Sequence, residues 1–273
     1  MTQILPEISG FTFSLSNILR GLLGMAVLIA IAWLFSADRK AIPWKTVGIG
    51  ILLQVILAAG ILYVPFIEAF FEITGKLFVK ILDFTGEGVS YLFKSDVTGK
   101  VEPALRNFAF TILPSIIFFS ALSSLLFYLG VIQMIVKGLG YALSRSMGLS
   151  GPESLSVAGN IFLGQTESPL LIKAYLEKLN RSEILMVMSG GMATLAGGVL
   201  AAYIGFLGGD DPAQQVLFAK HLLTASVMAA PGVVVISKII IPQTGPIDRV
   251  IRVSRTGIGR NALDAVSNGT IDG

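Results

Sequence analysis

The chain has no cysteine and a single histidine, His221. Those absences exclude disulfide scaffolds, thiol nucleophiles, Cys/His zinc sites and multi-histidine metal clusters. One histidine beside Lys220, at the edge of an apolar run, also leaves no Ser/His/Asp arrangement to build on. Charge is scarce too: Asp, Glu, Lys and Arg make up 14% of 273 residues, against about 25% in ordinary soluble domains. A chain of this size with so little charge cannot cover a water-facing surface. What is there is hydrophobic, 53% of residues with a mean hydropathy of +0.78. The net charge of +3 would point to nucleic acid in a soluble protein, but here the basic residues are distributed as topology signals. The sequence reads as an all-α, polytopic membrane protein whose partner is the lipid bilayer and not nucleic acid.

A bilayer core asks for about 20 apolar residues per helix. Five charge-free runs meet or approach that length: Gly21–Ser36, Thr46–Ile67, Asn107–Val136, Ile184–Gly209 and Leu222–Ser237. They predict five transmembrane helices. A secretory signal peptide ending near Ser36 is disfavoured, because no basic segment precedes the first run and Arg20 sits late. Arg39, Lys40 and Lys45 follow the first run, and Lys238, Arg249, Arg252, Arg255 and Arg260 follow the fifth. The segment between the fourth and fifth carries Asp210 and Asp211 without Lys or Arg. The positive-inside rule therefore places the N-terminus outside and residues 249–260 inside. Between the second and third runs, Glu68, Glu72, Lys76 and Lys80 recur four apart, with Phe70, Phe71, Leu77, Phe78, Ile81 and Leu82 expected on the opposite side. That pattern predicts an amphipathic helix along the interface, with Glu72–Lys76 as a favourable i,i+4 pair.

Between the third and fourth runs the basic residues Lys137 and Arg145 precede, and Lys173, Lys178 and Arg181 follow, the uncharged stretch Ser154–Thr166. Both flanks read as cytoplasmic, and thirteen residues are too few for a crossing. The expected structure is a re-entrant helical hairpin over 148–180. Ser150-Gly151-Pro152-Glu153 supplies a cap, an early proline and an early acid; Gly159 and Gly164 allow a break; Ser168-Pro169 opens a second short helix. At the break stands Gly164-Gln165-Thr166-Glu167-Ser168. A carboxylate at membrane depth costs about 2.5–3.5 kcal/mol on insertion scales, so it marks a pathway or a site. An amide, a hydroxyl and a carboxylate together suit a neutral ligand rich in hydroxyl and amide edges. The competing reading is a cytoplasmic loop in which Ser168 caps a helix and Glu167 is solvated. In the fourth run, Gly190-Gly191 and Gly197-Gly198 bracket Met192–Ala196. Such glycines usually mean close helix packing, and they also permit an unwound turn whose carbonyls hold a cation.

These residues resemble the concentrative nucleoside transporter family. The resemblance runs from about Asn107 to Gly273 and rests on Leu113–Phe119, Glu153-Ser154-Leu155, Asn160–Ile172, Ser182-Glu183, Gly190–Tyr203, Ala230-Pro231, Ser237-Lys238 and Asn268–Gly273. It implies ion-coupled symport of nucleosides, usually with sodium and sometimes with protons, by an elevator-like alternating-access mechanism in a homotrimer. By position it implies that Gln165, Thr166 and Glu167 bind the nucleobase with Val199 against it. The side chains of Asn160 and Thr194, with the backbone carbonyls of Leu163 and Leu195, would line the sodium site. Sodium is then the coupling ion, with no other cofactor, and the protein is no enzyme. It would sit in a plasma membrane, a bacterial inner membrane by the family's habit. The implied layout is a scaffold segment over 1–106, a first transport repeat over 107–238, and a basic cytoplasmic linker with the start of the next span over 239–273.

Two motifs depart from the family: Lys173-Ala174 stands where Arg-Pro is common, and Pro242–Gly245 lacks the usual acids. The family continues with a second hairpin repeat that holds the ribose, so the chain is expected to be one half of an inverted-repeat transporter and a fragment. A non-transporting module built from one repeat, and proton coupling through Glu167, stay open as alternatives. Gly257-Ile258-Gly259-Arg260 has no preceding strand and is read as a solvated basic linker, not a dinucleotide loop.

Overall fold

The computed structural model describes residues 15–95, 98–99, 101–102, 105, 108–165, 167–209, 211–251 and 259–273. Among these, twelve α-helices and one 3-10 helix form the fold, and the sole β feature is an isolated bridge between Lys94 and Val101. Among these, four helices or helix pairs are long and apolar enough to cross a membrane, or five if the pair Leu113–Tyr128 and Val131–Met147, bent by 77°, is counted as one span. The chain is thus a multi-pass, all-α membrane protein. Thr166, Arg252, Arg255, Gly257, Ile258, Asn107 and Asp210 lie outside the described residues.

Helices α1 (Leu15–Leu34) and α2 (Trp44–Tyr63) are apolar on every side, as lipid-facing helices are. Arg39 closes α1: its guanidinium donates to the carbonyls of Trp33 and Leu34 and lies 4.3 Å from the Trp33 ring centre. A cation at a helix C-terminus meets the negative end of the dipole, which gives this topology residue a local role as well. The amphipathic helix is α3 (Pro65–Phe93), 29 residues long. Lys76 bonds Glu72 at 2.6 Å and holds that carboxyl below the usual carboxylate range. Its buried seam is Phe71, Gly75 and Val79, whereas Phe70 and Leu77 are exposed. The seam passes through a glycine because a Cβ at Gly75 would come within 3.3 Å of Ala219 and 3.4 Å of the Val216 carbonyl.

The third run does not form one helix. After α4 (Phe108–Thr111), α5 (Leu113–Tyr128) stops before Gly130, and α6 (Val131–Met147) leaves at 77°. Gly130 has φ +81°, a left-handed conformation that glycine accepts freely. The Phe127 carbonyl accepts from both Gly130 N–H at 3.1 Å and the Gln133 amide at 2.7 Å, which ties the bend across the turn. Helix α6 is therefore a second amphipathic helix, with Ile132, Val136, Gly140 and Met147 buried and Met134 and Tyr141 exposed. The charge-free run hid it by extending past the turn to Val136.

The hairpin follows as α7 (Gly151–Asn160), α8 (Ser168–Leu171) and a 3-10 turn over Lys173–Lys178. Helices α9 (Arg181–Ala193) and α10 (Gly197–Gly208) make the fourth crossing in two pieces. Helix α11 (Pro212–Ile240) starts well before the uncharged run, with Asp211 capping its first turn, so His221 lies in its third turn and not at its start. It is the hub, contributing to apolar clusters shared with α2, α3, α7, α9 and α10. Pro231 interrupts its ladder, and Gln54 of α2 donates to the Met228 carbonyl at 3.2 Å, one turn below that break. Helix α12 (Ala262–Asp272) packs on α5, where Gly269 lets Ser124 approach.

Ahead of the 257–260 stretch the chain is packed against the hairpin. Residues 241–251 cross the base of the hairpin as a strap. The Asp248 carbonyl accepts from Gly151 N–H at 2.7 Å, the Val250 carbonyl accepts from the Tyr175 hydroxyl at 3.1 Å, and Ile251 joins the apolar cluster around α7. A side chain at Gly151 would run into the Val250 carbonyl. Gly151→Ala is expected to lift the strap and cost about 1–3 kcal/mol, read as a lower thermal midpoint in detergent; an unchanged midpoint would mean the strap contributes no stability.

Candidate functional site

The hairpin begins with a capping box. The Ser150 hydroxyl accepts from Glu153 N–H at 3.3 Å, and the Glu153 carboxylate accepts from Ser150 N–H at 3.0 Å. Every residue of α7 is buried, which is why glycine, alanine and serine dominate it. The returning arm locks on through Ser168, whose hydroxyl donates to the Ser156 carbonyl at 2.9 Å. Gly159 makes room, since a Cβ there would come within 2.7 Å of Leu171 and 2.9 Å of the Ser168 hydroxyl.

At the tip the chain folds back on Gly164. Its carbonyl accepts from the N–H groups of Glu167 and Ser168 at 3.2 and 3.0 Å, and its own N–H donates to the Glu167 carboxylate at 3.4 Å. Glu167 is half-buried and Gln165 is exposed. Ser168 does not cap a helix, as the loop reading has it; it is the first residue of α8 and is fully buried.

Facing the tip is the break between α9 and α10. Thr194 and Ala196 are extended, with ψ of 161° and 146°. The last carbonyls of α9 thus lose their ladder donors, and the Thr194 hydroxyl takes up that of Gly190 at 3.0 Å. The glycine-rich segment is both unwound and closely packed. The chain unwinds at 194–196, and the glycines on either side are contact points. A Cβ at Gly190 would lie 2.6 Å from Asn160 Nδ2, and one at Gly191 would lie 2.7 Å from Gln165 Cβ. Gly197 N–H donates to the Phe162 carbonyl at 3.3 Å, a direct bond from broken helix to hairpin tip.

The structure thus brings Asn160 and Gln165 of the hairpin against Gly190 and Gly191 of α9, and Phe162 against Gly197 of α10, on either side of the break at Thr194 and Leu195. The two leucines are anchored in different apolar clusters. Leu163 packs into a cluster with Leu155, Leu171 and Val187, and Leu195 packs against Ile61, Leu200 and Leu223. Their side chains are committed to core, which leaves only their backbone carbonyls to serve a ligand. Asn160 is 1% exposed, and neither its Oδ1 nor its Nδ2 has a hydrogen-bond partner among the described residues. An unsatisfied buried amide costs about 1–3 kcal/mol, so such a group calls for a ligand. A hard cation held by neutral oxygens fits it. No cluster of three His, Asp or Glu side chains occurs among the described residues to offer a charged alternative. Val199 stands in the first turn of α10, two residues past the Gly197–Phe162 bond, and is partly exposed.

One buried network was not legible in the sequence. Lys238 near the end of α11 pairs with Glu153 of α7, and its ammonium also donates to the Ser182 hydroxyl of α9 at 3.1 Å and to Gln243 at 3.2 Å. The sequence reads Lys238 as a topology residue and Glu153 as the early acid of a helix start. The available signal was that each is a charge set among apolar or small neighbours.

Residues 23–96 match the family model described as "Na+ dependent nucleoside transporter N-terminus", and residues 109–210 match the one described as "Nucleoside recognition". The chain is 38% identical over 260 residues to the Nucleoside permease NupC of Helicobacter pylori, covering 92% of this chain and 58% of that one. It is 38% identical over 257 residues to Sodium/nucleoside cotransporter 2 of Rattus norvegicus, covering 91% and 36%. The structure of CNTnw in an inward-facing substrate-bound state superposes with a TM-score of 0.82 at 38% identity, over 93% of this chain and 61% of that one. The chain spans about three fifths of the length of its bacterial relatives. These relatives carry the names of transporters and not of enzymes, as the sequence led us to expect. The chain belongs to the concentrative nucleoside transporter family.

Proposed function

We propose that the chain takes part in sodium-coupled symport of nucleosides across the membrane and contributes one half of the binding site. Gln165, Thr166 and Glu167 hydrogen-bond the nucleobase, with Val199 against it. Asn160 and Thr194 side chains, with the Leu163 and Leu195 carbonyls, hold the sodium ion. The observation that carries this reading is Asn160, buried and without a hydrogen-bond partner among the described residues, at the point where the hairpin tip meets an unwound helix. Sodium placed there would tie tip and break together, and Gln165–Glu167 follow only a few residues beyond Asn160. Ordering the tip raises affinity for the nucleoside, and by linkage the nucleoside raises affinity for sodium by the same factor. The names of the relatives support nucleoside as substrate and sodium as coupling ion.

The same reading extends to the assembly. It takes the protein as an elevator-like homotrimer in a bacterial inner membrane, N-terminus outside, with 1–106 as scaffold and 107–238 as the moving repeat. The basic residues at 39–45 and 249–260 support that orientation.

The test is uptake of radiolabelled uridine by the full-length product of the gene in proteoliposomes, with sodium, potassium or proton gradients. An inward sodium gradient should stimulate uptake, and Asn160→Leu with Thr194→Val should abolish the stimulation. Stimulation unchanged by that pair would remove the ion site. Uptake driven by protons without sodium would replace the coupling ion.

A further inference from the structure

Taking a lysine and a glutamate out of water is costly unless every hydrogen bond they need is supplied. Here the supply is complete. Both side chains are nine-tenths or more buried. The Lys238 ammonium has three donors, and they go to Glu153, Ser182 and Gln243. The second oxygen of Glu153 accepts from Ser150 N–H at 3.0 Å, and the Ser182 hydroxyl passes its own hydrogen to the Ile241 carbonyl at 2.7 Å.

The placement of these partners matters more than their number. Glu153 is in the first turn of α7 and Ser182 in the first turn of α9. Asn160 ends α7 and touches α9 at Gly190. From Glu153 to Asn160 is seven residues, and from Ser182 to Gly190 is eight. At a helical rise of about 1.5 Å per residue these are about 10.5 and 12 Å. One ammonium therefore ties together the lower ends of two helices whose upper ends meet, at nearly the same height, at the Asn160–Gly190 contact. Starting the helices does not require it. Helix α7 has its own capping box from Ser150 and Glu153, and α9 has one from Asn180 and Glu183.

We infer that Glu153, Ser182 and Lys238 form a positioning clamp that fixes the height of the hairpin tip against the break in the fourth crossing. The clamp touches neither ion nor nucleoside; it sets the distance between the two groups of oxygens that would hold the ion. Its sodium readout rests on the function proposed above, and its structural readout does not.

The experiment uses the full-length gene product and the double variant Glu153→Gln/Lys238→Met, because either change alone leaves an uncompensated buried charge. Ser182→Ala, which removes one bond without touching either charge, is the companion. Two quantities are read: the sodium concentration giving half-maximal uridine uptake, and amide hydrogen exchange over 160–165 and 190–197 in sodium-free buffer. Outer positioning groups typically contribute about 10- to 100-fold to metal affinity. The double variant should raise half-saturating sodium by about that factor while keeping maximal uptake, and its tip and break should exchange faster. Ser182→Ala should move both readouts the same way by less. Unchanged sodium dependence together with unchanged exchange in both variants overturns the clamp. If wild-type uptake ignores sodium altogether, the coupling reading fails and exchange alone decides the clamp: faster exchange in the double variant supports it, and equal exchange overturns it.

Discussion

Glu167→Gln is expected to weaken nucleoside binding by about 10- to 100-fold while leaving the hairpin folded. A hydrogen bond to a charged group contributes about 1.5–3 kcal/mol, against about 1 kcal/mol for a neutral pair, and every 1.4 kcal/mol is about tenfold in affinity. The substitution keeps the shape and an oxygen. That oxygen can still accept from Gly164 N–H, the bond that folds the tip, so expression and thermal midpoint should match wild type. What is lost is the charge on a half-buried carboxylate, which accepts more strongly than a neutral amide oxygen from the N–H and O–H groups of a nucleoside. Glu167→Ala removes the tip bond as well and should lose both binding and stability. Equilibrium binding of labelled uridine to purified protein, alongside a melting curve, separates the two. Wild-type affinity in Glu167→Gln would remove Glu167 from the pocket.

How much of this could be read from the chain depends on whether a feature is local. The apolar runs and the basic clusters between them follow from composition, so α1, α2 and the membrane class were legible. So was the hairpin, because Ser150, Pro152, Glu153 and Ser168-Pro169 announce helix starts within a few residues of themselves. The bend at Gly130 was not, since lipid tolerates the same apolar residues before and after it and one glycine in an apolar run is ordinary. Nor was the buried seam of α3, where Gly75 marks a close approach to Ala219 and not a gap. The Lys238–Glu153 pair was invisible for a deeper reason: the partners are 85 positions apart, and each has a sufficient local explanation. The strap escaped for the same reason, because its bonds use the carbonyls of Asp248 and Val250, and backbone carbonyls leave no residue signature. Asn160 and Thr194 became site residues through the family resemblance, not through spacing. The structure adds that Asn160 is buried without a hydrogen-bond partner among the described residues and that the helix packed against it opens at 194–196.

Gly190 and Gly191 are adjacent, yet their alanine variants should damage different halves of the site. A Cβ at Gly190 would stand 2.6 Å from Asn160 Nδ2 and 3.6 Å from its Cγ. Asn160 is 1% exposed, so its amide has little space to yield and must turn or carry the end of α7 with it. A site of this kind tolerates about 0.5 Å of displacement, and losing an ordered ligand geometry typically costs about 10- to 100-fold in ion affinity. Gly190→Ala should therefore raise half-saturating sodium by about that factor, with nucleoside affinity near wild type once sodium is saturating. A Cβ at Gly191 instead meets Gln165, at 2.7 Å from its Cβ and 3.1 Å from its Cα. Because the clash includes backbone, the tip itself must move, and with it the amide proposed to hold the nucleobase. Gly191→Ala should weaken nucleoside binding even at saturating sodium. Titrating sodium at fixed uridine, and uridine at saturating sodium, gives two numbers for each variant. The site as drawn requires them to shift in opposite combinations; the same pattern from both glycines would mean that the tip moves as one block and that ion and nucleoside contacts are not separable along α9.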